Sequence, residues 1–535
     1  MLRHAWLCGA LCWLATDAAA KPPLPTAVDG SVIAPVAALP KDSGLPQGWW
    51  HGAFMEVYVR GYQDSDGDGI GDIKGLISRL DDLKALGISG LWLMPITASQ
   101  DNDHGYAVSD YRNIEPDYGT LEDFDDLLHE AHARGIGVIM DYLINHSAAD
   151  HPLFESSRSS PQSPYRDWYV WKDPAPQGWN IYGKDPWHGD EFGAYFAGFW
   201  DQMPDWNLRN PKVIAFHHDN LRFWLNRGVD GFRFDAVGNL IEDGPLAWES
   251  NSANHSIMHG VAQLVASYGN RFMICEAPAD SVAFASSDSC GHAFAFGHNN
   301  RVVGAGLGNP AAVERVSTYF VEHPNGLSGF ASNHDAFAGQ RLWDRVRGKD
   351  ARYRLTAATY LLQNADPPFI YYGEEVGMSG GLGLGGDHKL RTPMSWTADP
   401  KTAGFTTGEP FRALSANVRS HNWAASRAQP DSLWHWYRDL IALRKAHPAL
   451  WEGDYSHAQV DGWKMAFRRR HGEETVWVVF NYHNDSASWS PKGAEPRARW
   501  VPLWPAGATT QEADDQGQVH LSLPGTSVVV YKELR

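Results

Sequence analysis

The chain has 535 residues, 43% of them hydrophobic and 20% charged, a mixture that packs an ordinary core and is long enough for one large domain with smaller ones attached. Its 45 basic and 63 acidic residues give a net charge of −18, which repels phosphate backbones and anionic lipid and argues against nucleic-acid and membrane-surface partners. The 24 Trp, 20 Tyr and 22 Phe are a large aromatic complement whose flat faces suit sugar rings as well as a core.

Residues 1–20 read as an export signal. Arg3 and His4 precede an apolar run from Ala5 to Ala15, and Ala18-Ala19-Ala20 offers a cleavage site. That run is too short for a membrane anchor, so a secreted or periplasmic chain is expected. Cys8 and Cys12 fall inside this segment; only Cys275 and Cys290 lie beyond it, and the sequence leaves their pairing open. Residues 21–46 carry many Pro, Ala and Val without period and read as a flexible lead-in. Short apolar runs of the kind buried on both faces then predict strands at Phe54–Tyr62, Ile88–Pro95, Gly137–Leu143, Val229–Val237, Phe272–Ala277, His292–Phe296, Gly329–Asp335 and Phe369–Glu375. Helical patterns such as Ile73–Leu86, Leu121–Arg134 and Lys212–Arg227 lie between them. The alternation predicts an α/β fold, a (β/α)₈ TIM barrel over residues 47–146 and 207–447, closed by a helix at Ser432–Lys445. Residues 147–206, after strand three, are too long for a connecting loop and predict an inserted subdomain over the barrel mouth. Past His447, short alternating runs such as Thr475–Tyr482 and Val519–Tyr531 predict a C-terminal all-β sandwich over 448–535.

Active sites in such barrels sit at the C-terminal ends of the strands. Strand four ends Gly231-Phe232-Arg233-Phe234-Asp235, and the two-residue spacing puts Arg233 and Asp235 on one side, where a guanidinium keeps a nucleophilic carboxylate ionised. Strand five ends in Glu276, placed for the partial burial that raises a carboxyl pKa and suits a general acid. Strand seven ends Asn333-His334-Asp335, and strand three runs from Asp141 to Asn145-His146. One such group could simply cap a strand; four at four strand ends are harder to explain that way. Separately, Asp64-Ser65-Asp66-Gly67-Asp68-Gly69-Ile70-Gly71-Asp72 gathers carboxylates on a glycine-rich turn. These repel one another unless a hard cation sits among them, which suits Ca²⁺; a solvated acidic turn is the alternative. The twelfth position is Gly75, not Glu, so this is not an EF-hand.

These segments together resemble the α-amylase family of glycoside hydrolases. The likeness runs from about Trp49 to Lys445 and rests on Asp141–His146, Gly231–Asp235, Glu276, Asn333-His334-Asp335 and the additional Met203-Pro204-Asp205-Trp206-Asn207. The resemblance implies Asp235 as nucleophile, Glu276 as acid/base and Asp335 as a third carboxylate gripping sugar hydroxyls, in a retaining double displacement. It implies that Tyr106 stacks on the sugar, that His146 and His334 hydrogen-bond it, and that Arg233 holds Asp235, while Asp141 and Asn145 read as structural. It also implies a structural calcium site with Asp64, Asp66, Asp68, Ile70 and Asp72 as ligands. The segments Arg391–Met394 and Ala403–Gly408 look like those of oligosaccharide-trimming α-glucosidases, in which Asp103 and Arg391 would bind the non-reducing sugar. His104-Gly105-Tyr106 and Ala236 look instead like endo-acting, α-1,4-specific members. The sequence therefore leans to an α-amylase acting on starch-type α-glucans or maltooligosaccharides. An exo-acting α-glucosidase is the alternative and a transglycosylase such as a trehalose-forming isomerase the third reading. A non-catalytic binding protein on this fold is disfavoured because all three carboxylates are present. Oligomeric state is not legible.

Overall fold

The computed structural model describes residues 28–535; the expected export signal at 1–20 lies outside them. Eight parallel strands form one sheet in chain order: β1 Phe54–Val57, β2 Gly90–Leu93, β3 Gly137–Tyr142, β4 Gly231–Phe234, β5 Phe272–Cys275, β6 Ala293–Phe294, β7 Leu327–Ser328 and β8 Phe369–Tyr371. β8 returns to pair with β1, and a single bridge between Phe330 and Phe369 joins β7 to β8, closing the barrel. Each strand is buried on both faces, and one-residue alternation sorts its side chains. Phe54, Trp92, Ile139, Phe272, Ile274, Phe294, Phe330 and Phe369 fill the interior, joined from below by Leu45 and Trp49. Their neighbours Met55, Leu91, Val138, Phe232 and Cys275 face the surrounding helices. Gly231 opens β4 because a Cβ there would stand 1.6 Å from the Phe272 carbonyl oxygen.

Several expectations shift. The seventh strand lies at Leu327–Ser328, not Gly329–Asp335. Beyond it the N–H groups of Ser332 and His334 donate to the side chains of Glu374 (3.1 Å) and Glu56 (3.2 Å), so no ladder forms. The first strand stops at Val57, and Val59–Gly61 is a tight 3₁₀ turn. The predicted helix Ile73–Leu86 is two, Ile73–Ser78 and Leu80–Leu86, broken at Arg79. Arg79 donates to Gln63 (2.8 Å) and lays its guanidinium over Trp396.

Residues 28–46, read as flexible, are instead a strap along the barrel. Val36 and Leu39 donate backbone N–H groups to Asp219 and Asn226, Arg271 donates to the Lys41 carbonyl, and Asn270 holds the carbonyls of Leu45 and Pro46. The helix Pro211–Arg227 opens with an Asn210 cap and ends at left-handed Gly228, as its sequence dictates. By contrast, β5 and β6 are joined by only a four-residue helix, Ser281–Phe284, inside a disulfide between Cys275 and Cys290.

Between β3 and Pro211 the chain builds a helix, Pro152–Ser159, and a small antiparallel sheet of Trp171–Lys172, Gly193–Phe196 and Trp187–Asp190. Bridges His146–Asp205 and Tyr169–Trp206 tie its two ends together. After Trp451 a six-stranded sheet and the pair Ala487–Trp489 with Leu521–Leu523 pack around Trp477, Trp500 and Tyr531. The run Val519–Tyr531 is split there between Leu521–Leu523 and Ser527–Leu534. Among the described residues no helix is long and apolar enough to cross a membrane.

Candidate active site

The barrel's alternation gives several strands an inward apolar residue low down and an inward polar one two positions higher: Phe54 then Glu56, Ile139 then Asp141 and Ile274 then Glu276; on β4 both positions are charged, Arg233 then Asp235. The polar layer is knit around Arg233. One terminal nitrogen donates to Asp141 (2.7 and 2.9 Å) and to Asp235 (2.6 Å); the other pairs with Glu276 at 2.9 Å. Two carboxyls held on one guanidinium are necessarily neighbours, and Glu276 and Asp235 share a hydrogen bond that favours the ionised form of Asp235. Glu276 also accepts from the Ala236 N–H at 3.2 Å.

Burial pushes the Glu276 carboxyl up to about 8; Arg233 offsets part of this, while Asp235 and Asp335 add to it. Glu276 therefore carries a proton at neutral pH. Burial also raises Asp235, against the pull of Arg233. Asp335 behaves oppositely: burial would raise it, but the His334 imidazolium at 3.1 Å and Arg391 at 2.9 Å outweigh that and hold it below the usual carboxylate range. His334, whose burial alone would lower it, is raised to about 10 by Asp335 and by Glu56, which meets its Nδ1 at 2.6 Å. The layer thus sets Glu276, protonated at neutral pH, beside Asp235 on one guanidinium, with Asp335 held ionised by His334 and Arg391, an arrangement suited to acid-assisted attack on an acetal carbon.

Asp235, Glu276 and Asp335 line one cavity of about 750 Å³, together with Tyr106, His146 and Arg391. His146 is kept neutral by burial, which lowers it to about 4. The Tyr106 ring stacks on His334 and its hydroxyl lies 2.6 Å from His334 Nε2. Two expected sugar contacts stand elsewhere. His334 is fully buried with both ring nitrogens engaged, so it orients Asp335. Asp103 is drawn out of the lining by Tyr58 (2.6 Å), Arg412 (2.7 Å) and His388 (3.1 Å). Arg391 remains in the wall, paired with Asp335 and, at 3.4 Å, with Asp387. Sequence reading missed Glu56, although its parity with Phe54 was readable. It also missed Tyr182, Phe199, Glu249 and Phe337 of the lining, which carry no local signal.

The acidic loop after β1 brings ligand oxygens of Asp64, Asp66 and Asp72 within 4.8 Å of one another. Among the described residues no lysine or arginine is ion-paired with these three. Three carboxylates that close, without a basic partner, fit a hard divalent cation. Asp68, expected among the ligands, stands outside that group and accepts from the Ile70 N–H at 2.7 Å; the Ile70 side chain packs on the core. The loop docks on residues 405–411: Asp64 donates to the Phe405 carbonyl (3.0 Å), Phe411 donates to the Gly69 carbonyl (3.0 Å), and Thr406 donates to the Asp64 carboxylate. A Cβ on Gly69 would meet the Glu409 carbonyl at 2.0 Å, which explains the glycine. Arg412, the partner of Asp103, follows directly, so the loop buttresses one wall of the cavity.

The profile described as "Alpha amylase, catalytic domain" matches residues 56–453. The chain is 31% identical to a protein described as "Alpha-glucosidase" from Pediococcus pentosaceus, over 84% of this chain and 94% of that one. It is 30% identical to an "Oligo-1,6-glucosidase" from Parageobacillus thermoglucosidasius, over 81% and 90%. The crystal structure of an α-amylase from H. orenii superposes with a TM-score of 0.79 at 30% identity, covering 91% of this chain and all of that one. With the fold, the carboxylate layer and these likenesses in agreement, the chain belongs to the α-amylase family of glycoside hydrolases and is an enzyme acting on α-glucosidic bonds.

Proposed function

We propose that this enzyme is an exo-acting, retaining α-glucosidase that trims short α-linked gluco-oligosaccharides, the alternative rather than the leading reading of the sequence. The observation that carries this is the ion-pair wall beside Asp335. Arg391 and Asp387 of the lining pair with each other and are backed, outside the lining, by Asp103 with Arg412 and His388, so three chain segments are knitted together; in this reading they stop a longer glucan from continuing beyond the sugar under attack. Both glucosidase relatives support the same choice.

In this reading Asp235 attacks the anomeric carbon while Glu276 passes its proton to the departing glycosidic oxygen, leaving a glucosyl ester on Asp235 and a free alcohol. Glu276, now ionised, takes a proton from water, whose oxygen displaces Asp235 and regenerates both carboxyls. Asp335, fixed by His334 and Arg391, accepts hydroxyls of the ring, and Tyr106 and His146 flank it. Asp64, Asp66 and Asp72 would hold Ca²⁺, which would supply only structural cross-linking. Export rests on the signal-like segment at 1–20, and the disulfide beside Glu276 suits an oxidising compartment.

Chromatography of products from starch, maltotriose, maltose, isomaltose and sucrose tests this. Glucose as the sole product released from starch and maltotriose is expected. A ladder of maltooligosaccharides from starch would return the assignment to an α-amylase, and isomeric disaccharides from sucrose would move it to a transglycosylase.

A further inference from the structure

Glu56 is a charge in the middle of the barrel that neither the attack nor the proton transfer uses. It is 1% exposed and clamped on both sides, in register with Trp92 of β2 and Tyr371 of β8. A carboxylate so placed is costly unless it is paired. Among the described residues its one ion-pair partner is His334, whose Nδ1 lies 2.6 Å away and whose backbone N–H donates to the same oxygen at 3.2 Å. The segment receiving these bonds has little ladder of its own, since past Leu327–Ser328 a single bridge at Phe330 ties it to the sheet. A side chain on a rigid strand thus holds a segment that strand pairing does not.

The surroundings of the imidazole fix its protons. A bare Nδ1 would set a lone pair against Glu56, and a bare Nε2 would do the same to Asp335 at 3.1 Å, so both nitrogens donate and the ring is a cation. The Tyr106 hydroxyl, 2.6 Å from Nε2, donates to Asp141 at 3.1 Å and is free only to accept from the ring. Tyr106, stacked at 5.6 Å, and Trp92, edge-on at 5.6 Å, set the plane of the imidazole. Two further cations stand behind these groups: Arg391 donates to the His334 carbonyl at 3.1 Å, and Arg233 meets the Tyr106 hydroxyl at 3.5 Å. Burial alone would lower His334 and raise Glu56; their pairing opposes both.

We propose that Glu56 is a positioning residue of the reaction: from its rigid strand it holds the second proton on His334 and so aims the Nε2–H at Asp335, as the carboxylate behind the histidine of a hydrolytic triad does. Asp335 is thereby fixed where it accepts hydroxyls of the flattening ring. This inference rests on the reading of Asp335 as the carboxylate that grips the sugar.

Glu56→Gln keeps the size and a hydrogen bond to the ring but removes the charge. With p-nitrophenyl α-glucoside, kcat should fall about tenfold or more while KM changes far less, because the grip of Asp335 tightens only as the ring flattens. Losing one of two carboxylate partners should bring His334 down from about 10 by about 1–3 pH units. The ratio of parent to variant kcat should therefore widen between pH 6 and pH 9, and the decline that Glu276 imposes on both divides out. Glu56→Asp keeps the charge, so its deficit should be flat over that range. A Glu56→Gln deficit that is flat with pH, or no deficit, would overturn the proposal; if that variant does not fold, a Glu56→Asp deficit that widens with pH would do so. A parent enzyme that leaves the glucoside intact would instead overturn the functional reading beneath it.

Discussion

Arg233→Gln is the most informative single change, because one buried guanidinium meets three carboxyls: Asp141, Asp235 and Glu276. In each, burial is the largest influence and raises the pKa, and Arg233 is the first influence that opposes it. An opposite charge at this range is worth about 1–3 pKa units, so its loss should carry the acid limb of kcat/KM, set by Asp235, upward by about 1–3 pH units. Breaking a buried ion network by removing one partner costs about 3–5 kcal/mol. The sign of its pH dependence follows from linkage. Carboxyls whose folded pKa is raised bind protons more tightly in the folded than in the unfolded chain, so stability falls as pH rises from the ordinary carboxyl range to the folded values, with Glu276 already at about 8. The variant should therefore lie nearer its parent in melting temperature at pH 5 than at pH 8. Rate profiles on p-nitrophenyl α-glucoside and melting curves at both pH values measure these effects. An acid limb that stays where the parent's lies, with a melting difference independent of pH, would refute the argument.

If Glu276 is the acid of the proposed mechanism it must be protonated to act, so kcat/KM should decline above about pH 8, and Glu276→Gln should suppress turnover of poor leaving groups far more than of α-glucosyl fluoride. Chelation should lower the melting temperature by removing a ligand of the folded state, with about 2.7 kcal/mol at stake for an ion present at 100 times its dissociation constant. Added Ca²⁺ should restore it, and an unchanged curve would dispose of the site. The Cys275–Cys290 bridge spans 15 residues, a loop whose closure is worth about 3 kcal/mol. Replacing both cysteines by serine should lower stability by about that much, and a variant as stable as the parent would show that the β5–β6 connection holds itself.

The barrel and the carboxylates were legible because both follow from local periodicity. Alternation along a strand puts Asp235 on the side of Arg233 and sets Glu276 at a strand end whatever the rest of the chain does. Where the reading missed, the deciding group was remote. The seventh strand is cut short by Glu56 and Glu374, carboxylates from β1 and the turn after β8 that capture its N–H groups. Asp103 is claimed by Arg412, some three hundred residues on, which no local pattern announces. The strap at 28–46 has no period because its order comes from side chains such as Asn226 and Asn270 on other elements. Glu56 is the exception, a charged residue inside an apolar run that deserved the weight given to Asp235.

The floor of the barrel is shut. Leu45 and Trp49 close over Phe54, Phe272 and Phe369, so the cup that holds the carboxylates is blind. In the proposed mechanism substrate, leaving group and water would then all pass by the open end of the barrel. A departing sugar that lingers there competes with water for the glucosyl ester and can be glucosylated again. Residence time at the rim, not the chemistry at the floor, would then decide whether a bond is cut or remade.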